Sequence, residues 1–208
     1  MRGVRVGQLV LLVTALAVVI MACQTPLPPG FTGPAPVAKD GFQRSQRVSG
    51  PVGLGRERTY RVDVEAETGL APDVVAAEVA SILGDSRSWI ADGSVGFRQV
   101  GSDDADIVIR VARPSTVDRL CRPLRTGGRL SCRSGRYINL NVDRWLGATA
   151  FWPTDLATYR SYLVNHEVGH FLGHGHAACP GRGQPAPVMM QQTKGLGDCT
   201  ANGWPYPE

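Results

Sequence analysis

The chain has 208 residues, room for one domain of ordinary size with flanking segments, and it is 43% hydrophobic and 19% charged. That composition sits near the globular norm and away from the polar, highly charged range of disordered chains. The formal net charge of +4 falls to +2 once the N-terminal Arg2 and Arg5 are set aside; with no basic run interleaved with aromatics, this excludes a nucleic-acid binder.

Arg2 and Arg5 form a positive n-region, Leu9 to Ile20 an apolar h-region, and Ala22 a small residue ahead of Cys23, the pattern of an export signal over residues 1–22. The apolar run falls short of the roughly 20 residues that span a bilayer comfortably. Ile20, Met21, Ala22 and Cys23 resemble a bacterial lipobox. The resemblance implies a lipid-modified Cys23, a membrane contact only through that anchor, and a location on the outer face of the cytoplasmic membrane or beyond it. Cysteine arithmetic points the same way, because five cysteines is an awkward number for an exported chain and removing Cys23 leaves four. Three pairings are open to Cys121, Cys132, Cys179 and Cys199. The sequence-local one is favoured, joining Cys121 to Cys132 and Cys179 to Cys199.

From residue 23 to residue 51 the chain is rich in Pro and Gly, including Pro28, Pro29, Gly30, Gly33 and Pro34, and reads as an extended tether. Residues 52–208 then read as one domain. Thr59 to Glu65 alternates apolar and polar side chains and predicts a strand. Pro72 to Leu83 has helical spacing, with Pro72 suited to the first turn and Gly84 to the stop. Val95 to Val100, Ile107 to Val111 and Tyr137 to Val142 predict further strands. Gly127, Gly128 and the Cys121–Cys132 pair predict a tight surface excursion between the last two.

Thr154 is the expected N-cap, with Asp155 in the first turn, of a helix reaching about Leu172. Along it Leu156, Tyr159, Leu163, His166 and His170 recur at spacings of three and four, so the histidines continue an inward-facing stripe. Val164, Val168, Phe171 and Leu172 add a second apolar flank. After Gly173 no regular element is expected.

The segment His166 to His176 reads HEVGHFLGHGH. Histidines four apart on a helix project from adjacent turns and can offer nitrogens to one ion. Glu167 is rotated off that axis, which suits a carboxylate that accepts a proton from water rather than a ligand. Gly173 lets the backbone leave the helix and bring His176 back as third ligand. His174 is the competing third ligand, but its offset is wrong, which points to a supporting role. Three protein ligands leave a fourth position open, the mark of a catalytic zinc site with one ion.

HExxHxxGxxH, with Pro187, Val188, Met189 and Met190 downstream, resembles the metzincin clan of zinc peptidases. The resemblance implies an α+β fold: a twisted, mostly N-terminal sheet packed on helices, an active-site helix, and an irregular C-terminal part with a Met-turn beneath the metal. Met189 is assigned to that turn, with Met190 as alternative and ordinary core packing as the bland account of both. Cys179, Met189, Cys199, Thr200, Asn202, Pro205 and Tyr206 are similar to the tail of small secreted snapalysin-like peptidases, over roughly residues 155–208. Those place an aspartate where this chain has His176. The whole domain also resembles an uncharacterised secreted family of high-GC Gram-positive bacteria that carries the HEVGH, PVM and QQT segments.

The motif and its resemblance together imply a monomeric zinc-dependent endopeptidase acting on a peptide or protein, with Glu167 as general base. Tyr206 is a candidate for stabilising the oxyanion on position alone, a tail tyrosine that merely packs being the favoured account, and Tyr137 to Asn141 is a candidate for the edge strand along which substrate lies. The alternative is a noncatalytic extracellular binding module with a structural zinc; a zinc hydrolase of cell-wall amide bonds would share the site.

Overall fold

The computed structural model describes residues 37–153 and 155–207. The expected signal, Cys23, the first part of the tether and Thr154 lie outside them. Within the described residues the chain forms a six-stranded mixed sheet with four α-helices, an α+β fold.

The strands are β1 (Phe42–Arg44), β2 (Arg56–Glu65), β3 (Val95–Gln99), β4 (Ile107–Ala112), β5 (Cys132–Ser134) and β6 (Tyr137–Asn141). The helices are α1 (Pro72–Leu83), α2 (Pro114–Leu120), α3 (Val142–Gly147) and α4 (Leu156–Leu172). The sheet runs β1-β2-β4-β6-β5, with β3 paired to the first half of β2. The pairs β2/β3, β2/β4 and β4/β6 are parallel, while β1 and β5 add antiparallel edges. Parallel neighbours need a crossover, and α1 supplies the one between β2 and β3.

One face of the sheet carries the main core. Tyr60, Val62 and Val64 of β2, Ile107, Ile109 and Val111 of β4, and Ile138 and Leu140 of β6 point into it. Val75, Val79, Ile82 and Leu83 of α1 and Tyr159, Leu163, Val164 and Val168 of α4 close it from the other side. The alternate residues of β2, namely Arg61, Asp63 and Glu65, are also buried. A smaller cluster of Phe42, Ala112, Val117, Cys121 and Cys132 includes a residue of α2. A sheet covered on both faces buries charge only where the charge is paired. Arg61 meets Asp63 at 3.1 Å, and Glu65 accepts from the Arg113 amide at 2.7 Å, its guanidinium at 3.0 Å and Thr116 at 2.8 Å.

Both local disulfides form, Cys121–Cys132 and Cys179–Cys199, which places the chain in an oxidising, extracellular environment. No helix among the described residues is long and apolar enough to cross a membrane. One boundary moves. Folded structure begins ahead of residue 52, because β1 pairs with the end of β2 and buries Phe42 inside the stretch expected to be tether.

Burial alone would raise the Glu65 carboxyl, but the hydrogen bonds from Arg113 and Thr116 outweigh it and hold it below its ordinary value of 4.5. A depressed native value contributes stability that is complete above 4.5 and is lost as pH falls through the native value. Glu65→Gln is therefore expected to cost about 1–2 kcal/mol near neutral pH, the half-exposed Arg113 partner being screened by solvent. It should also flatten the loss of stability on acidification below pH ~4.5. Urea denaturation at a series of pH values reads both, and identical pH profiles for the two proteins would contradict the assignment.

Candidate metal centre

Asp155 caps α4, accepting from the Thr158 amide at 2.8 Å and from its hydroxyl at 3.1 Å. The cap thus sits one residue beyond the Thr154 expected, and Asp155 satisfies an otherwise orphaned amide with charge of the sign the helix N-terminus favours. From this start α4 runs to Leu172 through the interior, with Tyr159 and every residue from Ser161 to Gly169 buried. Gly173 ends it in a left-handed conformation (φ 100°, ψ 5°), and the His174 amide reaches back to the Gly169 carbonyl at 2.9 Å. Few side chains tolerate that backbone.

The turn returns His176 to the helix, and its Nε2 lies 3.1 Å from Nε2 of His170. One nitrogen each from His166, His170 and His176 falls within 4.8 Å of the others. The remaining nitrogens of the two helical histidines are engaged. Nδ1 of His166 is 2.8 Å from the Val188 carbonyl, and Nδ1 of His170 is 2.9 Å from the His174 carbonyl. A carbonyl only accepts, so both Nδ1 atoms carry the proton and each Nε2 keeps its lone pair for a metal. Burial, followed by the neighbouring His170 and His176, pushes His166 down to about 4 and so keeps it neutral, the form that binds metal. Burial, then His170 and the Lys194 charge, also lowers His176.

Two nitrogens bound tetrahedrally to one zinc at the usual bond lengths stand roughly 3.3 Å apart. The His170–His176 approach fits, and so does the donor chemistry, because three neutral imidazoles suit zinc. Glu167 supplies a second test. Its Oε2 is buried with no hydrogen-bond partner among the described residues, and burial pushes its carboxyl up to about 8. Such a group calls for a cation or a water nearby, and a cation would draw its pKa back down.

The three histidines and Glu167 line one cleft of about 370 Å³. The loop closed by Cys121–Cys132 and β5 also line it, with Leu124, Leu130 and Arg133 among the lining residues. Residues 27–207 match the family described as a protein of unknown function, DUF3152. The chain belongs to the DUF3152 family. No curated protein and no solved structure matches it.

The geometry bears on several expectations for this DUF3152 domain, in agreement for His174 and Met189 and otherwise for Tyr137 to Asn141. His174 is outside the three-histidine group, and its ring stacks on Trp89 at 4.4 Å. Tyr206 does not reach the cleft, because the tail folds back so that its hydroxyl donates to Asp92 at 2.8 Å and its ring packs edge-on against Trp89. The segment Tyr137 to Asn141 is not an edge, since β4 and β5 flank it; the edge beside the cleft is β5. Of the two methionines, Met189 is buried, in the turn where the Met190 amide bonds the Pro187 carbonyl at 2.8 Å. The Ala177 amide bonds the Met189 carbonyl at 3.1 Å, tying the segment after His176 to that turn.

Residues to which the sequence reading gave no role at the site, Trp89, Asn165 and Gln192 among them, support the cluster. Trp89 donates to the Asn165 carbonyl at 2.9 Å, and Asn165 accepts from Ser88 and donates to the Gly203 carbonyl. Gln192 and Asn202 exchange two hydrogen bonds, at 2.8 and 3.0 Å, joining the Met189 turn to the tail. Gly169, in the middle of the motif, has no room for a side chain. A Cβ there would press on the Met189 thioether and come within 2.7 Å of Trp89 Cζ2. Gly169→Ala is expected to destabilise the domain by about 1–3 kcal/mol through overpacking, against the gain of up to about 1 kcal/mol that alanine gives an open helix position. Chemical denaturation measures the sign, and a stabilised variant would contradict this packing.

Proposed function

We propose that this DUF3152 domain is a zinc-dependent endopeptidase. The reading rests on one observation: three imidazole nitrogens converge, without a fourth protein ligand among the described residues, at the floor of a cleft that also holds a buried, unpartnered carboxylate. A structural site would be closed by four protein ligands and would have no use for Glu167.

His166, His170 and His176 would hold the ion. When bound, zinc supplies Lewis acidity toward a carbonyl and toward water. Glu167 accepts a proton from the attacking water and returns it to the leaving amine, the two halves of general acid–base catalysis by one group. Its burial matters here, because an apolar setting keeps its basicity above that of an exposed carboxylate. The Val188 and His174 carbonyls hold two of the three rings in place. At the cleft wall β5 ends the sheet and offers backbone to an extended peptide, which favours a chain over a small molecule as substrate.

The extended histidine motif, the left-handed Gly173 and the buried Met189 beneath Gly169 support a metzincin-like arrangement. The two disulfides support export, and the proposed anchor is a lipidated Cys23 that leaves the domain on the outer face of the cytoplasmic membrane.

Glu167→Gln is expected to retain one equivalent of zinc while losing at least about a hundredfold in peptide cleavage; His170→Ala should lose both. Product mass spectrometry on a peptide mixture, paired with metal analysis, reads the outcome. Cleavage undiminished in Glu167→Gln would remove Glu167 from the reaction. Absence of cleavage by zinc-loaded wild type would favour the noncatalytic module.

A further inference from the structure

The charges around the cleft are one-sided. Arg125, Arg133 and Lys194 line it, and all three are exposed. None has a carboxylate partner among the described residues, whereas Arg61, Arg113 and Arg160 each meet one within 3.1 Å. Among the described residues the only acid lining the cleft is Glu167, which is buried. Arg122 and Arg129 extend the same sign over the loop closed by Cys121–Cys132, which contains no acidic residue. The neighbouring Asp118 is occupied, accepting from Thr126 and from the Gly128 amide.

Unpaired cations around a concave, partly low-dielectric cleft focus potential into it and attract the opposite charge. Arg125 and Arg133 stand on the loop and edge strand of one wall, while Lys194 follows the Met189 turn, near His176. The positive charge around the three histidines therefore comes from two separate segments of the chain, of which Arg125 and Lys194 also meet around an adjoining pocket. A peptide crossing the cleft along β5 would place side chains on both sides of its reacting bond within this field.

We propose that the cleft selects acidic peptides, taking segments with Asp or Glu side chains on either side of the bond above the three histidines. The selection deepens the peptidase reading and rests on it for the meaning of that bond. Recognition is carried by Arg125 of the Cys121–Cys132 loop, Arg133 of β5 and Lys194 of the segment after the Met189 turn. Three exposed ion pairs of ordinary strength multiply to roughly tenfold in affinity, and that preference should fade as added salt shortens the screening length.

The test uses zinc-loaded Glu167→Gln protein, so that binding is read without turnover. Fluorescence polarisation would compare labelled peptides of one length whose flanking positions are Asp and Glu, Asn and Gln, or Lys. The acidic peptide should bind roughly tenfold tighter than the amide peptide, and Arg125→Glu with Arg133→Glu should invert the order in favour of the lysine peptide. Both side chains are exposed, and the milder Arg125→Gln with Arg133→Gln pair, which should cut the preference to roughly the twofold that Lys194 alone supplies, guards against a folding defect. Equal affinity for acidic and amide peptides, or an acidic preference intact in either double variant, would overturn the proposal. So would a polyphosphate of matched charge that binds as tightly and displaces the acidic peptide, since the cleft would then read charge alone. Acidic-peptide binding without cleavage by wild type would sink the peptidase reading and leave this one standing. Cleavage by wild type that ignores flanking charge would do the reverse.

Discussion

Two backbone carbonyls decide what the histidines can do. Val188 and His174 hold the Nδ1 protons of His166 and His170, which fixes the tautomer of each ring and turns each Nε2 toward the same point. Without them the i, i+4 spacing on α4 would still put two imidazoles on one face, but with free rotation about both side chains. The entropy of ordering the rings is met during folding, so a metal would meet a site already shaped for it.

The carbonyls can act only because an irregular segment is held still. Residues 174–207 contain no helix or strand, and their backbone order comes from other sources. The Cys179–Cys199 bridge closes the loop, and Gln192 and Asn202 hydrogen-bond across it. Gly203 lies so close to α4 that a Cβ would come within 2.6 Å of the Thr158 carbonyl. Trp89 links this segment to the rest: it lies under Gly169, bonds the carbonyl of Asn165, and receives the ring of His174 on its face. One indole thereby braces both the helix that carries two histidines and the turn that returns the third.

The sequence made the longer elements legible for local reasons. β2, β3, β6, α1 and α4 each carry their own local pattern and β4 a β-branched run, and α1 carries its own start in Pro72 and stop at Gly84. Illegible were β1, α2, β5 and α3, which span three to seven residues and exist through pairing and packing with distant partners. Missing β1 put the domain boundary too late, and missing β5 put the sheet edge on β6. The same division holds at the site. His166, Glu167, His170 and His176 lie within eleven residues and could be read as a unit, and the local disulfide pairing that forms is the one favoured among the three open. Trp89 and Asn165 meet across 76 residues of sequence, and nothing near either one signals the other. Tyr206 failed as a cleft residue for the matching reason, because the path of an irregular tail is set by contacts that no periodicity records.

The most direct test of the convergence is diffraction from crystals of zinc-loaded protein, recorded on both sides of the zinc absorption edge. A single anomalous peak about 2.0–2.1 Å from one nitrogen of each of His166, His170 and His176, with no fourth protein atom in the coordination sphere, is the result expected. Absence of a peak there, or a peak closed off by a fourth side chain, would contradict an open, catalytic centre.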